Sequence, residues 1–257
     1  MNWIDSYKRL ADLYIEEFES RWNEGTDTAK ALSYYVKANF PDITRVLDVP
    51  CGIGRLSLPL SLLAFNVLGI DFSDKFIEFA NKKKSEYGSE TSSFVVGDMF
   101  SSDKIILSHE PQLIVNWWTS IGYNNKEADV KFLKHLKAVT KRGTILMIET
   151  WTREYIINFP IRRFWNDLGN SVVMVTQKID PLREYVEAEH RYFRKINSDL
   201  KYVDNFKSKI MLYSVLELKN ILTNAGWTVL HVANSINQID NSFKPQLDRC
   251  VFVCKSF

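Results

Sequence analysis

The chain has 257 residues, 46% hydrophobic, 25% charged and 13% aromatic, with a net charge of +2. That composition supplies a sizeable globular core and excludes a disordered or collagen-like chain. The charge bias is too small to imply a nucleic-acid partner by itself. The three cysteines, Cys51, Cys250 and Cys254, form no disulfide framework and fit a reducing compartment. Cys250 and Cys254 would share one face of a strand, too far apart to bridge. No His/Cys group has zinc spacing, so no metal is expected. The first residues lack the apolar core of a signal peptide. The most apolar stretch, residues 56–70, is interrupted by Ser57, Pro59, Ser61 and Asn66 and is too short to span a bilayer. A cytoplasmic protein without a membrane partner is expected.

In chain order, Ile4, Tyr7, Leu10, Ala11, Tyr14 and Phe18 have helical spacing over residues 3–19. A second helix is predicted over 28–39, ended by Pro41. Then strands and helices alternate. Residues 45–49 read as a buried strand, 52–64 as a helix and 66–71 as a strand. A helix capped by Ser73 runs to Gly88. Residues 94–98 and 112–116 are strands, 126–141 a helix and 144–149 a fifth strand. This alternation predicts a doubly wound parallel sheet with helices on both faces. It breaks after Thr150. Residues 171–179, 185–196 and 203–213 are rich in Val, Tyr, Phe and Ile and read as antiparallel strands of an inserted cap. Ser214 to Glu217 is a capping-box sequence opening a helix that stops at Gly226. Residues 227–233 and 249–255 complete a seven-stranded sheet whose last strand is antiparallel. The division expected is a helical lid over 1–40, a Rossmann-like domain over 41–150 and 214–257, and a cap over 151–213.

The central motif is Leu47-Asp48-Val49-Pro50-Cys51-Gly52-Ile53-Gly54-Arg55, between the first strand and the next helix. Glycines there let a ligand approach the backbone and leave helix N–H groups free. Asp71, at the end of the second strand, can accept hydrogen bonds from ribose hydroxyls. Both features also fit a dinucleotide-binding domain. Three others favour S-adenosylmethionine. Ser57 stands where a third glycine is usual in dinucleotide folds. Asp48 suits the ammonium of a methionine tail and would repel a pyrophosphate. Asp98 could accept from an adenine amino group, with Met99 packing on the ring. One isolated Asp is more often a cap or a solvated charge. Three at successive strand ends, where open α/β sheets bind ligands, reverse that reading.

These residues, with Asn116 to Tyr123 and the terminal strand pair, resemble the class I S-adenosylmethionine-dependent methyltransferases over roughly 40–150 and 214–257. The closer resemblance is to a subgroup with a Pro-Cys-Gly-x-Gly-Arg loop (Pro50 to Arg55), a Thr-Ser-x-Gly-Tyr segment (Thr119 to Tyr123) and Glu-Thr-x-x-Arg-Glu-Tyr (Glu149 to Tyr155). Pro50 replaces a more usual glycine. The resemblance implies that Asp48, Pro50, Gly52 and Gly54 hold the methionyl part. Asp71 and its neighbour Phe72 would hold the ribose side, and Asp98 and Met99 the adenine. Asn116 and Trp117 would lie beside the sulfonium. It also implies a small-molecule methyl acceptor.

Methyl transfer needs alignment, exclusion of water and aromatic faces for the cationic sulfur. Trp117, Trp118 and Tyr123 are candidates to line that site. The Asn116-Trp-Trp-Thr119 segment lacks the prolines of the Asn-Pro-Pro-Tyr segment in nucleobase methylating enzymes, which makes base methylation a minor reading. Glu149, Arg153 and His190 are the candidate proton-transfer or substrate-binding groups. A cross-strand surface position is the stronger expectation for His190. Arg153, Arg162 and Arg163 could hold a substrate anion. His109, His135 and His231 look structural or exposed. Tyr7, Tyr14 and Trp22 could contact the cofactor from a lid. The alternatives are an RNA or protein methyltransferase resting on Lys82 to Lys84, a non-catalytic module, and an NAD-dependent oxidoreductase. Cap strands could pair between two copies.

Overall fold

The computed structural model describes residues 3–98, 102–158, 161–179, 184–238, 244 and 249–257. Three helices come first: α1 (Trp3–Arg9), α2 (Ala11–Ser20) and α3 (Trp22–Asn39). The helix predicted over 3–19 is thus two, broken at the buried Leu10, whose φ of −103° and ψ of 16° are not helical. Apolar spacing persists across that single-residue turn, so periodicity does not register it. The second predicted helix begins earlier than expected, at Trp22.

The alternating portion follows: β1 (Arg45–Asp48), α4 (Ser57–Leu62), β2 (Asn66–Asp71), α5 (Asp74–Tyr87), β3 (Ser92–Val96), α6 (Asp103–His109), β4 (Leu113–Asn116), α7 (Lys126–Ala138) and β5 (Ile145–Thr150). Helix α4 is shorter than predicted. Gly52 and Gly54 take φ of +54° and +79°, which ends any helix there and leaves the preceding segment as a loop. Pro59 falls within the first turn of α4, where a missing N–H costs nothing. Ser73 caps α5 by accepting from the Phe76 N–H at 3.3 Å, and Gly88 ends it at φ +62°. Helix α6 was not foreseen, because only Ile106 of its seven residues is buried and no apolar stripe marks it.

A short α8 (Arg153–Ile156) precedes four strands: β6 (Ile161–Asp167), β7 (Ser171–Ile179), β8 (Tyr185–Ile196) and β9 (Asp199–Met211). They form one antiparallel sheet in chain order. The additional strand, β6, alternates exposed and half-buried residues but carries two arginines, an Asn and an Asp, which mask its strand character. Helix α9 (Val215–Asn224), β10 (Trp227–Ala233) and β11 (Cys250–Ser256) return to the first sheet. Both halves of the predicted capping box, Ser214 and Glu217, are in place.

The large sheet has the order β3-β2-β1-β4-β5-β11-β10. Strands β1 to β5 pair in parallel, and β11 runs antiparallel to both β5 and β10. Its central strands are buried almost throughout, as expected where helices cover both faces. One core joins α6, α7 and α9 to the sheet; the other joins α3 and α4 to its opposite face. A further cluster joins Leu10, Leu13 and Tyr14 to Val173, Val175, Tyr192 and Phe206 of the small sheet, and to Ile53 and Phe76 of the large-sheet portion. Helices α1 and α2 therefore lie between the two sheets. All three cysteines are buried and, among the described residues, none forms a disulfide. Among the described residues no helix is long and apolar enough to cross a membrane.

Candidate active site

A cleft opens beyond the carboxyl ends of β1, β2 and β4, where the connections leave the sheet in opposite directions. Its floor is the loop after β1. Asp48 is 2% exposed, and its Oδ2 accepts from the Ser57 hydroxyl at 2.5 Å. Ser57 therefore does more than stand in for an absent glycine: it is the donor that keeps the Asp48 carboxylate in a buried place. Burial pushes the Asp48 carboxyl up to about 7. The Ser57 hydrogen bond and the Arg55 charge oppose that rise, whereas Asp71 adds to it.

Asp71 fixes the other side of the loop. Its Oδ2 accepts from the Gly52 N–H at 2.9 Å, and its Oδ1 accepts from the Ser73 N–H at 3.0 Å. Burial raises its carboxyl to about 6, against the pull of those backbone donors. Gly54 does not face the cleft. Its φ of +79° and its approach to Phe94, whose ring would sit 3.0 Å from an added Cβ, make it a packing position.

Aromatic side chains form the walls. Phe72 and Phe76 stand on the β2 side, Trp117 and Trp118 on the β4 side, and Tyr7 closes over from α1. The Tyr7 and Tyr123 hydroxyls are 3.1 Å apart. Burial raises both phenols above their ordinary value, so both stay protonated through the neutral range. Trp118 and Thr119 each adopt left-handed backbone, with φ of 56° and 60°. Such residues cost about 1–2 kcal/mol each and persist only where surroundings enforce them. The enforcing group is Glu149. Its Oε2 accepts from the Trp118 N–H at 2.9 Å and its carbonyl accepts from the Thr119 N–H at 3.0 Å. Arg249 pairs with the same carboxylate at 3.2 Å. The Arg55 guanidinium lies over the Trp118 ring, 3.7 Å from its centroid.

The residues singled out from the sequence divide accordingly. Asp48, Pro50, Gly52, Asp71, Phe72, Trp117, Trp118, Tyr123 and the α1 residue Tyr7 line the cleft. Asn116 sits behind the wall, its Nδ2 donating to the Val49 carbonyl at 2.8 Å, with its buried Oδ1 unpartnered. Asp98 is exposed beyond the end of β3, away from the lining, and Met99 lies outside the described residues. Arg153 is a brace. Its Nη2 donates to the Leu212 carbonyl at 2.9 Å and pairs with Glu217 at 2.9 Å, tying the return of the inserted sheet to its departure point. His190 is not the surface residue expected. It packs against Phe206 with Nδ1 buried and unpartnered, and burial lowers its pKa. Tyr14 and Trp22 belong to the packing around α2 and α5 instead of the lining. His109 bonds the Val46 carbonyl, His135 meets Asp103, and His231 is exposed.

Sequence reasoning missed Arg55 as a lining residue, although the motif contains it, and missed Asp129. Asp129 is buried at the cleft end of α7 and accepts from the Tyr213 hydroxyl at 2.6 Å. Its place in the first turn of α7, beside Ala128 on the apolar face, was the available signal.

The sequence model of the methyltransferase-domain family matches residues 42–225, which include the Asp48 loop, Asp71 and the inserted sheet. The chain belongs to this family. Similar solved structures share its fold. An S-adenosylmethionine-dependent methyltransferase from Clostridium acetobutylicum superposes with a TM-score of 0.75 at 15% identity, covering 98% of this chain and 99% of that one. CalS10, an amino pentose methyltransferase from Micromonospora echinaspora solved with S-adenosylmethionine bound, gives 0.73 at 16% identity, covering 95% and 97%. Among curated proteins, Bacillus subtilis YqeM is 39% identical over 51 residues, 20% of this chain and 21% of that protein. This chain therefore matches about a fifth of that relative's length. The matched family is one of methyltransferase domains, and CalS10 is a neighbour solved with S-adenosylmethionine bound. The nicotinamide dinucleotide alternative is set aside by the family match.

The cleft suits that cofactor. Two buried carboxylates lie in it, aromatic faces flank them, and one buried guanidinium stands beside them.

Proposed function

We propose that this methyltransferase modifies a nitrogen, or secondarily an oxygen, of a small molecule held beneath α1 and α2. The observation that carries the reading is the aromatic cleft over Asp48 and Asp71, lined in part by Tyr7 and Phe18 from helices that pack on the small sheet. Such a chamber suits a compact acceptor better than a folded nucleic acid or protein. The fold shared with an amino pentose methyltransferase and with the sugar N-methyltransferase KedS8 supports the same reading.

In this proposal Asp48 takes the ammonium of the methionyl tail, Asp71 accepts from the ribose hydroxyls and Phe72 offers its ring to the adenine. Pro50 and Gly52 shape the loop beneath. Bound there, S-adenosylmethionine supplies an electrophilic methyl on a positively charged sulfur, open to in-line attack. Trp117 and Trp118 provide faces that attract positive charge and keep water out. The protonated Tyr7 and Tyr123 hydroxyls orient the acceptor through hydrogen bonds; they do not remove its proton. That arrangement suits an amine, whose lone pair needs no base once the amine binds neutral. Glu149 holds the loop bearing Trp118 in place and touches neither reactant.

The test is to incubate the protein with methyl-labelled S-adenosylmethionine and panels of small amines and hydroxy compounds. Label in a small amine is expected. Transfer confined to RNA or protein substrates would overturn the proposal.

A further inference from the structure

The methionyl end of the cofactor carries two opposite charges on one carbon. The reading above gives the ammonium to Asp48, which leaves the carboxylate in a mostly apolar cleft, needing a cation within a few ångströms. An unpaired carboxylate there would be costly. Among the described lining residues, Arg55 is the one cationic side chain.

Arg55 is built for the purpose. It is 7% exposed, and its backbone is pressed by α3, where a Cβ on Gly25 would lie 2.2 Å from the Arg55 carbonyl oxygen. Its guanidinium is stacked on Trp118, itself fixed by Glu149. The protein contacts both use Nη1: a hydrogen bond to the Arg21 carbonyl at 3.3 Å and an approach of 3.7 Å to Glu24, an exposed side chain. Nε and Nη2 have no protein acceptor among the described residues, and together they form the planar edge that grips a carboxylate with two parallel hydrogen bonds. The Arg55 charge also reaches Asp48. We propose that Arg55 binds the α-carboxylate of the cofactor, so that Asp48 and Arg55 together read the two charges of its amino-acid end. The inference rests on the assignment of the ammonium to Asp48.

The experiment is calorimetric and uses three probes: S-adenosylhomocysteine, its decarboxylated counterpart, and 5′-methylthioadenosine, which lacks the amino acid. The intact protein should prefer S-adenosylhomocysteine over the decarboxylated probe by about 10- to 100-fold, the range for a charge-assisted pair. In Arg55→Met that preference should collapse to within about threefold, with methylthioadenosine affinity retained. Arg55→Lys keeps the charge without the fork, and should show an intermediate preference. An unchanged preference in Arg55→Met, with methylthioadenosine still bound, would overturn the assignment. So would an unchanged preference accompanied by a rise in KM for the acceptor, which would give Arg55 to the acceptor. If Arg55→Met fails to fold, Arg55→Lys decides: a severalfold fall in preference supports the proposal and no fall refutes it. Failure of the intact protein to bind any of the three probes would instead remove the cofactor reading of the cleft, and Arg55 with it.

Discussion

Asp48 should make cofactor affinity depend on pH. Its carboxyl stands at about 7 in the ligand-free protein, because burial outweighs the Ser57 hydrogen bond and the Arg55 charge. An ammonium is attracted to the ionised form only. Affinity should therefore be level above pH 8 and fall about tenfold per pH unit below 7, giving a loss of about 100-fold by pH 5. Asp71, at about 6, adds a further decline of about tenfold by pH 5. Calorimetric titration with S-adenosylhomocysteine from pH 5 to 8.5 measures this directly. In Asp48→Asn affinity should be lower at pH 8, with only the shallower Asp71 dependence remaining. The sign of the stability effect follows from the same shift. A carboxyl raised on folding contributes stability that is full below its ordinary value and lost as pH rises through about 7. The increase in Tm from saturating S-adenosylhomocysteine should accordingly be larger at pH 8 than at pH 5. A pH profile identical in the parent protein and Asp48→Asn would refute the reasoning, since the carboxylate would then not meet the charge.

Other substitutions probe the frame. Glu149→Ala removes the acceptor for the Trp118 N–H and the carboxylate that Arg249 meets at 3.2 Å; kcat should fall about 10- to 100-fold with a smaller change in KM, and Glu149→Gln should recover most of it, as steady-state kinetics would show. Gly54→Ala puts a Cβ at φ +79° against the Phe94 ring and should cost about 2–3 kcal/mol in urea unfolding. Ser214→Ala loses the cap of α9 and should cost about 1 kcal/mol in the same assay, with activity nearly unchanged.

The strand-helix alternation was legible because buried parallel strands are short apolar runs, and five of them recur at readable intervals. Asp48 and Asp71 were legible because each closes a strand, so local sequence places it at the ligand-binding edge. What was not legible depends on contacts between distant segments. The break at Leu10 follows from the helices having to fit between two sheets. Glu149 looked like a base because it ends a strand. Only the approach of Trp118 and Arg249 shows it to be a clamp. Arg153 looked like an anion binder, and the return of the inserted sheet at Leu212 and Glu217 makes it a brace. Ser57 was read as the lack of a glycine, and its hydroxyl turned out to matter.

The location of α1 and α2 between the two sheets has a kinetic consequence. These helices share one apolar cluster with β7, β8 and β9 on one side and with Ile53 and Phe76 on the other. On the proposed function, α1 and α2 would have to part from one of those partners to widen the cleft, so weakening this cluster is expected to change the rate of product release in pre-steady-state kinetics. The same packing would make the stability of the inserted sheet a determinant of how long a bound cofactor stays.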